Sequence, residues 1–184
     1  MPRLLSSTTF ARNEGLIFRL GGLVNKGLVR VLIVDDFPAW RSFVTLQVKQ
    51  KKAWKIVGEA SDGVEAIQKA FEFRPEVVVL DIGLPGLTGL EVAQCILRDL
   101  PATRILFLSE NRSSEVVLES LRIGASGYVL KSDSAKDLLP AMAAVLRGEI
   151  FLSTNLGILV YRRATAKSSS SVRRQLQELS NGSK

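Results

Sequence analysis

The 184-residue chain contains no histidine and a single cysteine, Cys95. The first absence excludes a histidine general base, a histidine-ligated metal and a histidine phosphodonor. The second excludes an intrachain disulfide and a cysteine-cluster zinc site. A chain that does without disulfides suits a reducing compartment, so the cytoplasm is the expected location. No uninterrupted apolar stretch approaches the ~18 residues of a membrane helix, and no membrane partner is expected. Arg12, Glu14 and Arg19 interrupt the apolar patches of the N-terminus, which argues against a signal peptide.

A surplus of acid is also missing: the formal net charge is +7. That charge is unevenly spread. Residues 1–28 carry net +3, residues 29–149 net −1 and residues 150–184 net +5. The basic character therefore belongs to the ends, and the middle has no footprint for nucleic acid.

What the middle does have is five short apolar runs, at Val29–Val34, Lys55–Gly58, Glu76–Leu80, Arg104–Leu108 and Gly127–Leu130. Three are Val- and Ile-rich and nearly continuous in apolarity, as strands buried on both faces should be. Segments with helical spacing alternate with them. Phe43, Leu46 and Val48 fit a first helix, and Val64, Ile67, Ala70 and Phe71 a second. Leu90, Ala93, Ile96 and Leu97 fit a third, and Val116, Val117, Ser120 and Leu121 a fourth. Leu138, Met142, Val145 and Leu146 fit a fifth. Asp62–Glu65 and Ser134–Asp137 have capping-box form, and Gly124 and Gly148 stand where helices should stop. Pro140 conflicts with the fifth helix: either the helix starts late, near Asp137, or it bends there.

This β/α alternation predicts an α/β fold, a flavodoxin-like (βα)5 three-layer sandwich with parallel strand order 2-1-3-4-5. Residues 29–149 form that domain. Residues 1–28 form a disordered or loosely packed extension. Residues 150–161 add a C-terminal helix, followed by a basic tail with a Ser-rich stretch, Lys167–Ser171, and a short helix over Val172–Leu179.

In such a sheet every strand's C-terminal end lies along one edge, and the first and third strands share the crevice of the topological switch point. Asp35 and Asp36 follow the first run and Asp81 ends the third. Aspartate is common in turns, and either position alone is explained that way. Together, carboxylates this close repel unless a cation sits among them, and an all-oxygen cluster suits Mg²⁺. Ser109 and Lys131 end the fourth and fifth runs on the same edge. Singly they read as a cap and a surface lysine. Beside the acids they complete a phosphoryl-transfer set, with Asp81 as nucleophile and a lysine and a hydroxyl for the remaining phosphoryl oxygens.

The motifs VLIVDD, GEASDGVEAI, PEVVVLDIGLPGLTGLEVA, ILFLS and GASGYVLKS, in that order, resemble the response-regulator receiver domain of two-component signalling. GASGYVLK and RGEIFLS resemble its LuxR-type branch, without an evident helix-turn-helix output domain. The resemblance implies a phosphorelay switch rather than an enzyme. Asp81 accepts phosphate from a sensor histidine kinase. Asp36 and Asp81 hold Mg²⁺ directly with the backbone carbonyl of Gly83, and Asp35 acts through water. Lys131 contacts the phosphoryl group, Ser109 is the switch hydroxyl and Tyr128 turns inward on activation. Pro85 matches the family's proline after the phosphorylated strand. The output is an unnamed protein partner, with helices 1, 4 and 5 as candidate homodimer surfaces and no DNA binding by this chain. Glu110 departs from the small residue usual after the switch serine, and Ser132 from the proline common after the lysine. Two other readings compete: a receiver-like scaffold that is not phosphorylated, which Glu110 favours, and an aspartyl-nucleophile phosphatase, which Gly83 disfavours because a second acid belongs there. Cys95, Trp40 and Trp54 are expected to be packing residues, and Lys49–Lys55 a solvated helix end.

Overall fold

The computed structural model describes residues 27–153 and Leu156. The extension over residues 1–26, the Ser-rich stretch and the Val172–Leu179 helix lie outside the described residues. Strands β1 (Val29–Val34), β2 (Trp54–Ala60), β3 (Val77–Leu80), β4 (Arg104–Ser109), β5 (Gly127–Leu130) and β6 (Phe151–Leu152) form one sheet in the order β2-β1-β3-β4-β5-β6. Every neighbouring pair is parallel. The predicted order 2-1-3-4-5 is thus present, with one strand added at its edge.

The apolar runs are continuous because both faces of the sheet are covered. Leu32, Val34, Val78, Leu80, Ile105, Phe107, Tyr128 and Leu130 face one core cluster. It is closed by α2 (Gly63–Phe73), α3 (Gly89–Asp99) and α4 (Ser114–Ile123). The alternate residues Val31, Ile33, Val77, Val79, Leu106, Leu108 and Val129 face a second cluster, closed by α1 (Pro38–Lys49) and α5 (Ser134–Leu146). Each fully buried aliphatic side chain contributes about 1.5–3 kcal/mol, so both clusters hold the edge that carries the site.

Several local expectations need correction. Leu46 and Val64 are exposed (66% and 57%), and Phe71 partly so (37%); the buried faces of α1 and α2 run through Val44 and Val48, and through Gly63, Ala66 and Ala70. Small residues there let α2 approach the sheet closely, a packing signal that apolar periodicity overlooks. Cys95 is half-buried rather than core. The Asp62–Glu65 box is half formed: Asp62 accepts the Glu65 N–H, but Glu65 accepts from Ser61 rather than from Asp62. Ser134–Asp137 is not a box, since Ser134 donates to the Lys131 carbonyl and a 3₁₀ turn over Lys131–Asp133 leads into the helix. The complete reciprocal box lies at Thr88–Glu91, opening α3. Helix α5 starts at Ser134 and continues through Pro140, which removes the late-start alternative. Pro140 and Lys136 are both exposed, so the carbonyl deprived of a donor faces water.

The helix expected from residue 150 onward begins instead as a strand. Phe151 N–H donates to the Ser126 carbonyl at 3.1 Å and Ser153 N–H to the Tyr128 carbonyl at 3.1 Å, covering the edge of β5. Edge groups left unpaired favour this pairing over a helical turn. Ser153, fully buried, ties β6 to its neighbours: its hydroxyl donates to Asp137 Oδ2 at 2.8 Å and accepts the Leu130 N–H at 3.3 Å. Leu156 is helical and buried in the core.

Gly89 sets how closely α3 approaches the end of β3. A Cβ there would lie 2.8 Å from the Ile82 Cα, against backbone that cannot yield, whereas one at Gly83 would meet only Asp81 Oδ2 at 3.6 Å. Gly89→Ala is therefore expected to cost ~2–4 kcal/mol in urea unfolding followed by circular dichroism, and Gly83→Ala less than ~1 kcal/mol.

Candidate functional site

The C-terminal ends of β1, β3, β4 and β5 deliver Asp35 and Asp36, Asp81, Ser109 and Lys131 to one edge, as the sheet order requires. Asp35, Asp81, Ser109 and Lys131 are buried and Asp36 is exposed. One carboxylate oxygen from each of Asp35, Asp36 and Asp81 lies within 4.8 Å of the other two. The Lys131 ammonium bridges two of them, at 2.8 Å from Asp35 Oδ2 and 3.0 Å from Asp81 Oδ2. Asp35 Oδ1 accepts the Phe37 N–H at 3.0 Å and Asp81 Oδ1 the Ile82 N–H at 2.8 Å. Among the described residues, no donor reaches the Asp36 carboxylate.

Burial pushes the Asp35 carboxyl above its ordinary range, and the hydrogen bond from Lys131 only partly offsets that. Burial alone would lower the Lys131 ammonium. The hydrogen bonds and charges of Asp35 and Asp81 outweigh it and hold the lysine above its usual value. A buried cation here is stable because two anions face it, and breaking such a group would strand charge.

A cleft of about 450 Å³ opens over this cluster, lined by Asp36, Asp81, Gly83, Ser109 and Lys131, with Trp40 and Glu110 also on its wall. Ser109 Oγ accepts the Asn111 N–H at 3.2 Å. Tyr128, fully buried, packs against Phe107 with ring centroids 6.1 Å apart and donates its hydroxyl to the Asn111 carbonyl at 2.7 Å. The inward orientation of Tyr128 is thus the one seen, and the segment after β4 holds both Ser109 and Tyr128 through Asn111.

Three contributors escaped the sequence reading. Arg41 Nη1 donates to the Asp35 and Asp36 carbonyls at 2.7 and 3.2 Å, pinning the β1–α1 turn from the first turns of α1. Trp40, expected only to pack, does pack edge-to-face on Phe43 at 5.6 Å, and its ring also lies 5.2 Å from the Lys131 ammonium. Asn111 links the serine to the tyrosine. Helical spacing places Trp40 and Arg41 just beyond the acidic pair, but nothing local tells which way they point.

The model of the response regulator receiver domain matches residues 31–143. The chain belongs to this family. It is 34% identical over 131 residues to the uncharacterized transcriptional regulatory protein YxjL of Bacillus subtilis, covering 71% of this chain and 60% of that one. It is 33% identical over 129 residues to the oxygen regulatory protein NreC of Staphylococcus epidermidis, covering 70% and 59%. Among solved structures it resembles a LuxR-family two-component response regulator from Aurantimonas sp. SI85-9A1 (TM-score 0.72, 31% identity, 76% of this chain and 99% of that one). It also resembles the isolated receiver of RcsB from Salmonella enterica serovar Typhimurium (TM-score 0.69, 26% identity, 73% and 99%). The molecule is the receiver domain of a LuxR-type two-component response regulator, and the chain spans about 60% of the length of the curated relatives it matches. Among the described residues no helix is long and apolar enough to cross a membrane.

Burial pushes the Tyr128 phenol up from 10.0 to about 12. Between these values the unfolded state releases its proton while the folded state keeps it, so stability falls as pH rises. The loss comes to about 2–3 kcal/mol. Lys131, raised by its partners, also contributes stability that disappears as alkaline pH passes its folded value, but equally with or without the phenol. Chemical unfolding from pH 9 to 12 is expected to be less steeply pH-dependent in Tyr128→Phe, which at neutral pH costs only about 1 kcal/mol for the lost hydrogen bond.

Proposed function

We propose that this receiver is a Mg²⁺-dependent phospho-acceptor switch, taking a phosphoryl group on Asp81 from a sensor histidine kinase and signalling by conformational change to a protein partner. The observation that carries the reading is the Lys131 ammonium shared between Asp35 and Asp81, with Asp36 close enough to join them around one ion.

The residues fit Mg²⁺. The donors are hard oxygens, the cluster contains no nitrogen or sulfur ligand, and Asp36 faces the cleft with its carboxylate uncommitted among the described residues. Asp36 and Asp81 would hold the ion directly with the Gly83 carbonyl, and Asp35, whose oxygens already serve Phe37 and Lys131, would act through water. When bound, the ion offsets negative charge on the transferred group. Asp81 supplies the attacking oxygen through Oδ2, which breaks no backbone hydrogen bond because Oδ1 is the one held by Ile82. Lys131 then shifts its Asp81 contact to a phosphoryl oxygen while keeping Asp35. Ser109 turns to donate its hydroxyl to a second phosphoryl oxygen, which draws its oxygen away from the Asn111 N–H it accepts. Loss of that bond loosens the segment to which Tyr128 is tied, which connects the site to α4 and to the edge at β6.

Turnover of phosphate esters is disfavoured, because Gly83 provides no second acid. The output is read as a protein contact, because residues 29–149 carry net −1, without the excess of basic groups that a nucleic acid backbone attracts. RcsB has been solved as two dimers bound to two parallel DNAs. Pairing of this receiver with a second copy is consistent with that relative, and α1, α4 and α5 are the candidate surfaces that the family resemblance implies.

Incubation with phosphoramidate and Mg²⁺ is expected to add one phosphoryl group by intact mass, and none with Asp81→Asn or with chelator. Lys131→Met is expected to slow the addition at least ~100-fold. Addition that persists in Asp81→Asn would contradict the assignment.

A further inference from the structure

Two of the three acids are held through their side chains. Asp35 is bound by the Phe37 N–H and by Lys131, and Asp81 by the Ile82 N–H and by Lys131. Asp36 has no such hold among the described residues, although its carboxylate oxygen belongs to the same cluster. An aspartate side chain is short, so the aim of the Asp36 carboxylate is set by its backbone.

One nitrogen atom fixes that backbone. The Asp35 carbonyl belongs to the peptide unit before the Asp36 Cα, and the Asp36 carbonyl to the unit after it. Arg41 Nη1 donates to both, at 2.7 and 3.2 Å, and so clamps the two peptide planes that flank Asp36. Arg41 is itself firmly placed. Its own N–H donates to the Phe37 carbonyl at 3.3 Å in the first turn of α1, and its side chain is 19% exposed.

A guanidinium beside an acidic cluster also has an effect of opposite sign, because its charge opposes a bound cation. Glu59, paired with Ile33 across β1 and β2, offsets part of that charge. Its Oε2 lies 3.7 Å from Arg41 Nε, and its Oε1 accepts the Thr45 hydroxyl at 2.9 Å. The donors of Arg41 are thus kept while its charge is partly compensated, which leaves the clamp as the larger effect.

We infer that Arg41 is a positioning residue for Asp36: it aims the Asp36 carboxylate at the ion shared with Asp81, and so sets the affinity for Mg²⁺ rather than the rate of phosphoryl transfer. The inference rests on the Mg²⁺-dependent reading and adds to it a residue that supplies no ligand of its own.

The test is calorimetric titration of the full chain with Mg²⁺, together with phosphoramidate labelling rates over a range of Mg²⁺ concentration. Clamp and charge predict different outcomes. Arg41→Met removes both, and is expected to raise the Mg²⁺ Kd about tenfold, whereas loss of the charge alone would lower it. Arg41→Lys keeps the charge without the planar fork, and is expected to raise the Kd at least about threefold, whereas charge alone would leave it unchanged. Labelling at saturating Mg²⁺ is expected to stay within about threefold of wild type in both variants, since the acceptor and Lys131 are untouched. Arg41→Lys is the milder change and carries the test if Arg41→Met does not fold. A Kd unchanged or lowered in a folded variant overturns the inference, as does slow labelling that saturating Mg²⁺ fails to restore. Absence of Mg²⁺ binding by the wild-type chain overturns the Mg²⁺ reading itself, and this inference with it.

Discussion

One ammonium between two carboxylates organises this molecule. Lys131 stands 2.8 Å from Asp35 and 3.0 Å from Asp81, all three nearly removed from solvent. Taken alone, each group would resist burial: the acids would take up protons and the lysine would lose one. Together the opposite charges compensate one another's loss of water at the edge of an apolar sheet. The arrangement is under tension all the same. Asp35 is still raised by burial, and Asp36 adds a third acid that no described donor engages. A site with more negative than positive charge, open to a cleft, has the donor chemistry that a hard cation would match.

The sheet makes that arrangement possible at low cost in strain. Strands β1 and β3 are neighbours, so residues far apart in sequence end side by side, and β5 brings Lys131 across from the far side of β4. Gly89 lets α3 start directly against the Asp81–Ile82 backbone, and its N–H donates to the Ile82 carbonyl at 2.9 Å. Arg41 fixes the β1–α1 turn from the other side. Rigid elements thus hold the acids, whereas Ser109, Asn111 and Tyr128 belong to a chain of single hydrogen bonds that a new acceptor can redirect.

Much of this was legible in the sequence, for a physical reason. Strands buried on both faces must be apolar at every position, so Val29–Val34 and Val77–Leu80 announce themselves, and the alternation with helices leaves few topologies. The polar residue that ends each run then marks the candidate functional edge, where Asp35, Asp36, Asp81, Ser109 and Lys131 meet. What stayed hidden depends on direction and on distant partners. Leu46 and Val64 fit a helical period but lie on outward faces: Val44 and Val48 carry the buried face of α1, and the small residues Ala66 and Ala70 decide which side of α2 meets the sheet. Strand β6 is two residues long and exists because β5 leaves an edge to pair. Trp40 gains its place over Lys131 only when α1 and β5 are brought together in space.

The central claim is that the three acids at the ends of β1 and β3 form one divalent-cation pocket under Lys131. Titration of isotope-labelled protein with Mn²⁺, followed by paramagnetic broadening of backbone amide signals, tests it most directly. The account predicts that Asp35, Asp36, Asp81, Ile82 and Gly83 broaden first and together, and that Mg²⁺ in excess reverses the effect. Broadening centred elsewhere on the surface, or none at concentrations where Mg²⁺ is physiological, would contradict it.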